Sequence, residues 1–281
     1  MKIRAKAPLR LGFAGGGSDV SPYSDEYGGY ILNSTISLYA YCTIETTNDN
    51  LIRIESSDLD IYQEFSSNSK YFKLDGNLDL IKQIFNHLIQ NNYLESFPPF
   101  FLKTHCDAPP GSGLGTSSTM VVAVLKAITE WLYLPFGEHD LAKIAYRIER
   151  VDLNLSGGKQ DQYAAAFGGF NFMEFYSNNT VVVNPLRIKK WIINELNSSM
   201  LIFNLGSSRS SAAIIDEQRK SMKKNRLSLS AMHNIKKDAL RMKEQLIKGN
   251  IDKISLILSN SWANKKLLSN KSSLTGQYLA G

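Results

Sequence analysis

A glycine-rich segment in the middle of the chain constrains the fold more than any other feature. Residues 109–118, PPGSGLGTSS, lie between a predicted strand and a predicted helix. Glycines let the backbone approach a ligand and turn its N–H groups inward, while the partial positive charge of the helix start attracts anions. The segment predicts a phosphate-binding loop whose hydroxyls complete a magnesium shell. A tight turn in which Thr116 or Ser117 caps the helix is the structural alternative.

The apolar pattern predicts a mixed chain of strands and helices. Strands are predicted where β-branched and aromatic residues cluster or alternate with polar ones, at residues 31–47, 52–55, 60–65, 100–104, 170–175, 181–183 and 200–205. Helical spacing predicts helices at 78–93, twice after the glycine loop, at 161–167 and beyond 210, with breaks near Asn225 and at 249–250. The change to a helical pattern near Lys190 predicts a second region.

Length and composition narrow the functional classes. A chain of 281 residues with 43% hydrophobic residues can bury a substantial core, and its formal charge of +6 suits anionic ligands. Nucleic acid would also suit this charge, but a solvated helix face is the simpler explanation. Cys42 and Cys106 lack zinc or thiol-redox spacing, which predicts buried free thiols. Because no stretch reaches the roughly 20 apolar residues of a membrane span, we expect a cytoplasmic protein.

The glycine loop resembles a known nucleotide-binding motif. It lacks the Gly-Lys-Ser/Thr ending of a Walker loop and the acidic residue that follows a dinucleotide-binding loop. It is similar instead to the second motif, Pro-x-x-x-Gly-Leu-Gly-Ser-Ser, of the galactokinase, homoserine kinase, mevalonate kinase and phosphomevalonate kinase (GHMP) superfamily. The resemblance implies ATP binding by Pro110, Gly111, Ser112, Gly113, Leu114, Gly115, Thr116, Ser117 and Ser118.

The N-terminal residues 7–19, APLRLGFAGGGSD, resemble the first motif of the same superfamily. The resemblance implies that Asp19 contacts sugar hydroxyls, with Gly16, Gly17 and Ser18 also beside the substrate, and that Arg10 is the motif's basic residue. Galactokinase-like members have Gly-Glu-His where this chain has three glycines. That form resembles the heptose-phosphate and fucose kinase branch.

Residues 156–162, SGGKQDQ, resemble the Ser-Gly-x-x-Asp segment of the superfamily. The resemblance implies that Asp161 accepts the proton of the attacking hydroxyl, while Arg10 keeps it ionised. It also implies magnesium binding by Ser117 and Glu149, although one residue more than in mevalonate kinase-like members separates Glu149 from Asp161. Without the resemblance, Asp161 would be an ordinary helix-start acid and Glu149 a solvated helix residue.

A second anion site is predicted ahead of the helix that begins near residue 210. Residues 207–211, SSRSS, combine the planar geometry of an arginine with helix-start N–H groups. We expect Arg209, with Lys159, to bind a phosphate already on the substrate, and we include the neighbouring Gly158 among the substrate-binding residues. Simple N-capping with Arg209 in solvent is the alternative.

The resemblance implies a two-domain α+β fold. Residues 1–190 would form an N-terminal domain like the second domain of ribosomal protein S5, which binds ATP and sugar, and residues 191–281 a ferredoxin-like C-terminal domain. Members of the superfamily usually carry a third, glycine-rich motif near the C-terminus, and nothing after Leu201 matches it. We therefore expect the second domain to be incomplete.

The three motifs together predict an ATP- and Mg²⁺-dependent sugar kinase. The resemblance implies D-glycero-D-manno-heptose 7-phosphate as substrate and its anomeric hydroxyl as acceptor, which gives the 1,7-bisphosphate. A kinase of a free sugar such as fucose is one alternative. A non-catalytic nucleotide or RNA-binding protein is another, since S5-like domains also occur in RNA-binding proteins. We expect a small-molecule partner, neither nucleic acid nor membrane, and a homodimer is compatible with the sequence.

Overall fold

A computed structural model of the chain describes residues 1–203 and 211–268. Its strands are β1 (Lys2–Ala14), β2 (Gly29–Thr46), β3 (Leu51–Ser56), β4 (Ile61–Ser66), β5 (Phe100–Cys106), β6 (Phe170–Phe175) and β7 (Val181–Pro185). Its α-helices are α1 (Tyr23–Tyr27), α2 (Asp79–Gln90), α3 (Thr116–Trp131), α4 (Glu138–Arg147), α5 (Gln160–Phe167), α6 (Lys190–Ser199), α7 (Ser211–Lys224), α8 (Arg226–Lys248) and α9 (Ile251–Leu268). A π-helical turn, Ile148–Asp152, continues α4.

Most elements follow the predicted pattern, and the α+β class is confirmed. β6 coincides with the strand predicted at 170–175, and the predicted break at 249–250 coincides with Gly249, whose left-handed backbone ends α8. The prediction of a buried strand at 200–205 is wrong for the residues that the structure describes. Leu201, Ile202 and Phe203 are each more than half exposed. A strand needs a hydrogen-bonded neighbour, and no described strand pairs with this run.

The chain divides into two compact units that interleave in sequence. Unit 1 contains Met1–Leu9, Ile36–Leu155 and Asp161–Gly168. Unit 2 contains Arg10–Thr35, Ser156–Gln160 and the described residues from 169 onward. β1, β2 and α5 therefore contribute residues to both units. The predicted superfamily domains with a boundary near Lys190 are a different kind of division and stay a prediction.

Unit 1 contains β3, β4, β5 and parts of β1 and β2, together with helices that pack on them. β3 pairs antiparallel with β4 and parallel with β5, and β5 pairs antiparallel with residues 40–46 of β2. Along β5, buried and exposed side chains alternate, as a half-buried strand requires. Phe100 of β5 contacts Phe85 of α2 and Trp131 of α3, with ring centroids 5.0 and 5.2 Å apart. This core fixes α3 and the glycine loop that precedes it.

Unit 2 contains the β6–β7 end of the sheet and a hydrophobic core of its own. Residues 29–34 of β2 pair antiparallel with β6, and β6 pairs antiparallel with β7. Its main core cluster contains Leu32, Phe172, Met242, Leu246, Ile254 and Ile257 among others. A second cluster joins Tyr23 to α8 and to Leu268 at the end of α9. The last turn of α9 is thereby held at a fixed place within unit 2.

Cys42 and Cys106 are buried and unpaired, so the prediction of free thiols is confirmed. Burial raises the pKa of both thiols, and neither is a reactive thiolate at neutral pH. Among the helices that the structure describes, none combines the length and apolar character needed to cross a membrane.

Candidate active site

The glycine loop of unit 1 ends in a helix start that no side chain caps. Gly111, Gly113 and Gly115 have φ angles of 78°, 77° and 79°, a conformation that residues with side chains rarely adopt. Gly115 is the N-cap residue of α3 and supplies no side-chain oxygen. The alternative of a turn in which Thr116 or Ser117 caps the helix is therefore wrong. The first-turn N–H groups of such a helix are the usual donors to a bound phosphate.

A buried carboxylate lies behind the loop among hydroxyl and amide groups. Ser117 Oγ donates a hydrogen bond to Glu149 Oε1 over 2.8 Å. Gln162 Nε2 donates to Glu149 Oε2 over 2.5 Å and to Ser118 Oγ over 3.0 Å. The side chain of Glu149 is 1% exposed, and the guanidinium of Arg150 is 3.8 Å from its Oε1. The alternative in which Glu149 is a solvated helix residue is therefore wrong.

Glu149 belongs to the π-helical turn Ile148–Asp152. A π turn accommodates one residue more than an α-helical turn, and such turns are frequent at functional sites. The turn offers a physical account of the extra residue between Glu149 and Asp161 in this chain.

This cluster has the donor chemistry of a magnesium site. Gln162 Oε1 is buried, and no donor among the described residues lies within hydrogen-bond distance of it. An unpaired buried oxygen is costly unless a cation or an ordered water satisfies it. Magnesium prefers one or two carboxylates together with other oxygens, so Ser117, Glu149 and Gln162 fit it. The motifs did not indicate Gln162, and its place directly after Asp161 was the only signal available.

Asp161 is the second residue of α5, and its side chain is partly buried. The partial positive charge of a helix start favours the ionised form of a carboxylate in the first turn. An ionised carboxylate can accept a proton from a hydroxyl group. The local structure of unit 1 thus suits Asp161 to the predicted role, which stays a prediction.

In unit 2, the carboxylate of Asp19 is hydrogen-bonded to the protein's own amides. Oδ2 accepts from the backbone N–H groups of Lys159 and Gln160 over 2.9 and 3.0 Å. Oδ1 accepts from Gly17 N–H over 3.3 Å and from Gln160 Nε2 over 3.2 Å. All four of these donors are amide groups of unit 2. Asp19 therefore ties the first motif to the third within unit 2, and its contact with a sugar stays a prediction.

Gly158 and Ser18 also take part in building this loop. A Cβ at Gly158 would lie 2.0 Å from Asp19 Oδ2, so only glycine fits there. The fully buried Ser18 hydroxyl donates to the Tyr30 carbonyl over 2.9 Å and accepts from the Tyr30 N–H over 3.1 Å. Their predicted contacts with substrate are untested, and in this structure both positions support the loop.

Of the residues predicted to bind a substrate phosphate, the structure describes Lys159 but not Arg209. The Lys159 ammonium donates to Asn179 Oδ1, in the turn between β6 and β7, over 3.0 Å. Arg209 lies outside the described residues. Gly16 and Gly17 are partly exposed in unit 2, which also contains Arg10. The second anion site stays a prediction.

A lysine that no motif indicated lies beside the first glycine run. Lys265, in the last turn of α9, has its Nζ 3.2 Å from the position that a Cβ of Gly16 would occupy. Burial lowers the pKa of Lys265, the nearby Arg10 lowers it further, and Asp19 opposes both. Lys265 lies 249 positions after Gly16 in a helical segment, so the sequence pattern contained no signal for this approach.

Comparisons with known proteins agree with the motifs. The family model of the GHMP kinases N terminal domain matches residues 79–169, which contain the glycine loop, Glu149 and Asp161. The D-glycero-alpha-D-manno-heptose 7-phosphate kinase of Campylobacter jejuni is 49% identical over 267 residues. That match covers 95% of this chain and 78% of the relative.

Solved structures share the fold along nearly the whole chain. The crystal structure of a D-glycero-D-manno-heptose 1-phosphate kinase from Bacteroides thetaiotaomicron matches with a TM-score of 0.83 and 50% identity, over 95% of this chain and 79% of that one. Lactococcus lactis galactokinase matches in fold with a TM-score of 0.70 at 17% identity, over 94% of this chain and 75% of its own. With nearly half of its residues identical to those of the Campylobacter jejuni kinase, the chain belongs to the GHMP kinase family.

Proposed function

We propose that this protein transfers the γ-phosphoryl group of ATP to the anomeric hydroxyl of D-glycero-D-manno-heptose 7-phosphate, which gives the 1,7-bisphosphate. The observation that carries the proposal is the 49% identity, over 95% of the chain, to a heptose 7-phosphate kinase. The similar Bacteroides thetaiotaomicron protein is a heptose 1-phosphate kinase. Both names specify a heptose that already bears one phosphate, and they differ in the carbon that carries this phosphate.

The nucleotide phosphates would bind to unit 1. The uncapped start of α3 and the backbone of the glycine loop supply N–H donors to the β- and γ-phosphates. Ser117 and Glu149 would hold magnesium, and Gln162 would orient the Glu149 carboxylate from its other side. Bound magnesium supplies positive charge that stabilises the transferring phosphoryl group.

Asp161 would accept the proton of the sugar hydroxyl. It is the second residue of α5. Arg10 would keep Asp161 ionised and stabilise the charge that develops on the phosphoryl oxygens. Positioning and electrostatic stabilisation provide most of the rate enhancement in phosphoryl transfer.

The finer description of the fold belongs to the same proposal. Residues 1–190 would form the S5-like, ATP- and sugar-binding domain, and residues 191–281 the ferredoxin-like domain. Arg209 and Lys159 would contribute to binding of the substrate phosphate. The protein would act in the cytoplasm on a small molecule, without nucleic acid, as a monomer or homodimer.

A panel of acceptors tests the function. ADP release is measured with Mg²⁺-ATP and each of heptose 7-phosphate, heptose 1-phosphate, unphosphorylated heptose and fucose. We expect kcat/KM to be highest with heptose 7-phosphate by at least about tenfold, because a charge-assisted contact to phosphate contributes on the order of 1.5–3 kcal/mol. Higher kcat/KM with fucose or with heptose 1-phosphate would replace the proposed substrate. ADP release with none of the sugars would exclude a sugar kinase.

A further inference from the structure

The Lys265 ammonium lies beside the first glycine run of unit 2. Arg10 and Lys265 are close enough for the guanidinium to lower the pKa of the lysine, and Asp19 is the acidic group that acts on Lys265 in the opposite direction. The Asp19 carboxylate already accepts four hydrogen bonds from amide groups of unit 2. Lys265 thus lies near a second cation and near a carboxylate that already accepts several amide donors.

The Lys265 ammonium is also held without a protein acceptor. Among the described residues, no oxygen accepts a hydrogen bond from its Nζ, whereas the exposed lysines Lys2 and Lys103 each contact a glutamate. A partly buried ammonium without a hydrogen-bond acceptor is costly to the folded protein. Such a cost is retained where the group binds a ligand.

Gly16 makes the space in which the ammonium lies. A methyl group at this residue would come within 3.2 Å of Lys265 Nζ and 3.9 Å of its Cε. The glycine run therefore exposes its backbone on the side where Lys265 presents its charge. Backbone amides beside a lysine form a recurrent binding place for phosphate oxygens.

We infer that Lys265 is a specificity-determining residue that binds a phosphate oxygen of the sugar-phosphate substrate. The inference rests on the proposed function, because it names the group that recognises the phosphate of that substrate. The sugar phosphate is favoured as the ligand, since Lys265 lies beside the motif whose resemblance implies sugar binding.

The experiment compares Lys265→Met with Lys265→Arg and with the control Lys266→Ala. Methionine keeps an unbranched apolar stem, arginine keeps the charge, and Lys266 is an exposed lysine in the same helical turn. For each variant, kcat/KM is measured for heptose 7-phosphate, for unphosphorylated heptose and for ATP. Calorimetry measures the binding of both sugars to the nucleotide-free protein, and thermal unfolding confirms that each variant is folded.

We expect Lys265→Met to weaken binding of heptose 7-phosphate by about tenfold to a hundredfold, the usual size of one hydrogen bond to a charged group. Binding of unphosphorylated heptose and the KM for ATP should change less than about twofold, a shift too small to represent such a contact. Lys265→Arg should restore part of the affinity, and Lys266→Ala should behave like the wild type.

Three results for Lys265→Met would overturn the inference. An equal loss of affinity for both sugars would mean that Lys265 only supports the fold. A raised KM for ATP alone would assign Lys265 to nucleotide binding, and unchanged affinity for heptose 7-phosphate would show that Lys265 does not bind the substrate phosphate. The proposed function fails separately. If the wild-type protein binds heptose 7-phosphate through Lys265 but releases no ADP, the proposed kinase function is wrong, whereas the role of Lys265 in binding the phosphate is retained. If turnover is normal and independent of Lys265, only the inference falls.

Discussion

The two motif-bearing regions of this protein use their polar residues in opposite ways. In unit 1, the glycine loop leaves a helix start without a side-chain cap, and a buried glutamate meets a serine at the surface of the loop. In unit 2, the acid and the serine of the first motif are turned inward, where Asp19 accepts four amide donors and Ser18 binds Tyr30. Residues of a functional motif can thus either be available to bind a ligand or stabilise the loop to which they belong.

Substitutions in the two units should have different effects on the protein. Variants of the polar residues in unit 1 should lower turnover while the protein remains folded. Variants of Asp19 or Gly158 in unit 2 should lower the free energy of unfolding first, and activity as a consequence.

The largest effect is expected from Asp161→Ala. The variant loses the proton acceptor, so kcat should fall by about 10²- to 10⁴-fold, the usual range for general base catalysis. The affinity for ATP should stay within a few-fold of the wild type, because Asp161 is separate from the glycine loop in sequence. Single-turnover kinetics and nucleotide binding measure the two quantities. Near-normal kcat would remove Asp161 from its role.

The second prediction concerns Asp19→Asn. The asparagine side chain has only one acceptor oxygen, so the two donors at one of the two carboxylate oxygens would lose their acceptor. We expect the free energy of unfolding to fall by about 1–3 kcal/mol, the cost of leaving a buried donor unsatisfied. Denaturant unfolding measures the change. Lost sugar binding in a protein of unchanged stability would show instead that Asp19 acts on the ligand.

A matched variant at Gly158 sharpens that result. Gly158→Ala would place a methyl group 2.0 Å from Asp19 Oδ2, so the loop must shift. Overpacking of this kind costs about 1–3 kcal/mol. Gly169→Ala is the control for general effects of removing a glycine, because nothing lies within 4 Å of a Cβ there although its φ of 76° adds strain. Gly158→Ala should lower stability more than the control does.

The third prediction concerns Ser117→Ala in unit 1. The change removes one hydroxyl at the surface and leaves Glu149 bonded to Gln162. We expect the free energy of unfolding to change by less than about 1 kcal/mol, the contribution of an ordinary hydrogen bond. The magnesium concentration needed for half-maximal rate should rise several-fold. A magnesium titration of the rate measures this shift. An unchanged titration curve would remove Ser117 from the metal site.

The smallest effect is a change with pH in the affinity for heptose 7-phosphate. Lys265 must be protonated to bind phosphate, and burial lowers its pKa, with a further decrease from Arg10 and an opposing effect from Asp19. Affinity should therefore decline as pH rises through that lowered pKa, at a lower pH than for an ordinary lysine. Lys265→Arg should stay flat over the same range, because arginine remains charged. Parallel curves for the two proteins would contradict the assignment.

Local patterns predicted most elements, and three-dimensional proximity explains what they missed. β6 and α5 follow from alternation and turn residues within a few positions of each other. The apolar run at Leu201 was assigned to a strand on composition, although whether such a run is buried depends on a distant partner. In the site, the motifs indicated the glycine loop, Glu149 and Asp161, but Lys265 meets Gly16 only after α9 has packed within unit 2. Neither the four donors of Asp19 nor the orphan oxygen of Gln162 is visible in sequence.

The most direct test of the central claim is the identity of the product. Heptose 7-phosphate and Mg²⁺-ATP are incubated with the protein, and phosphorus NMR with coupling to the anomeric proton follows the sugar. The account predicts a second sugar phosphate resonance coupled to that proton, with one ADP formed for each phosphate transferred. A new phosphate on any other hydroxyl, or ADP formed without a new sugar phosphate, would contradict it.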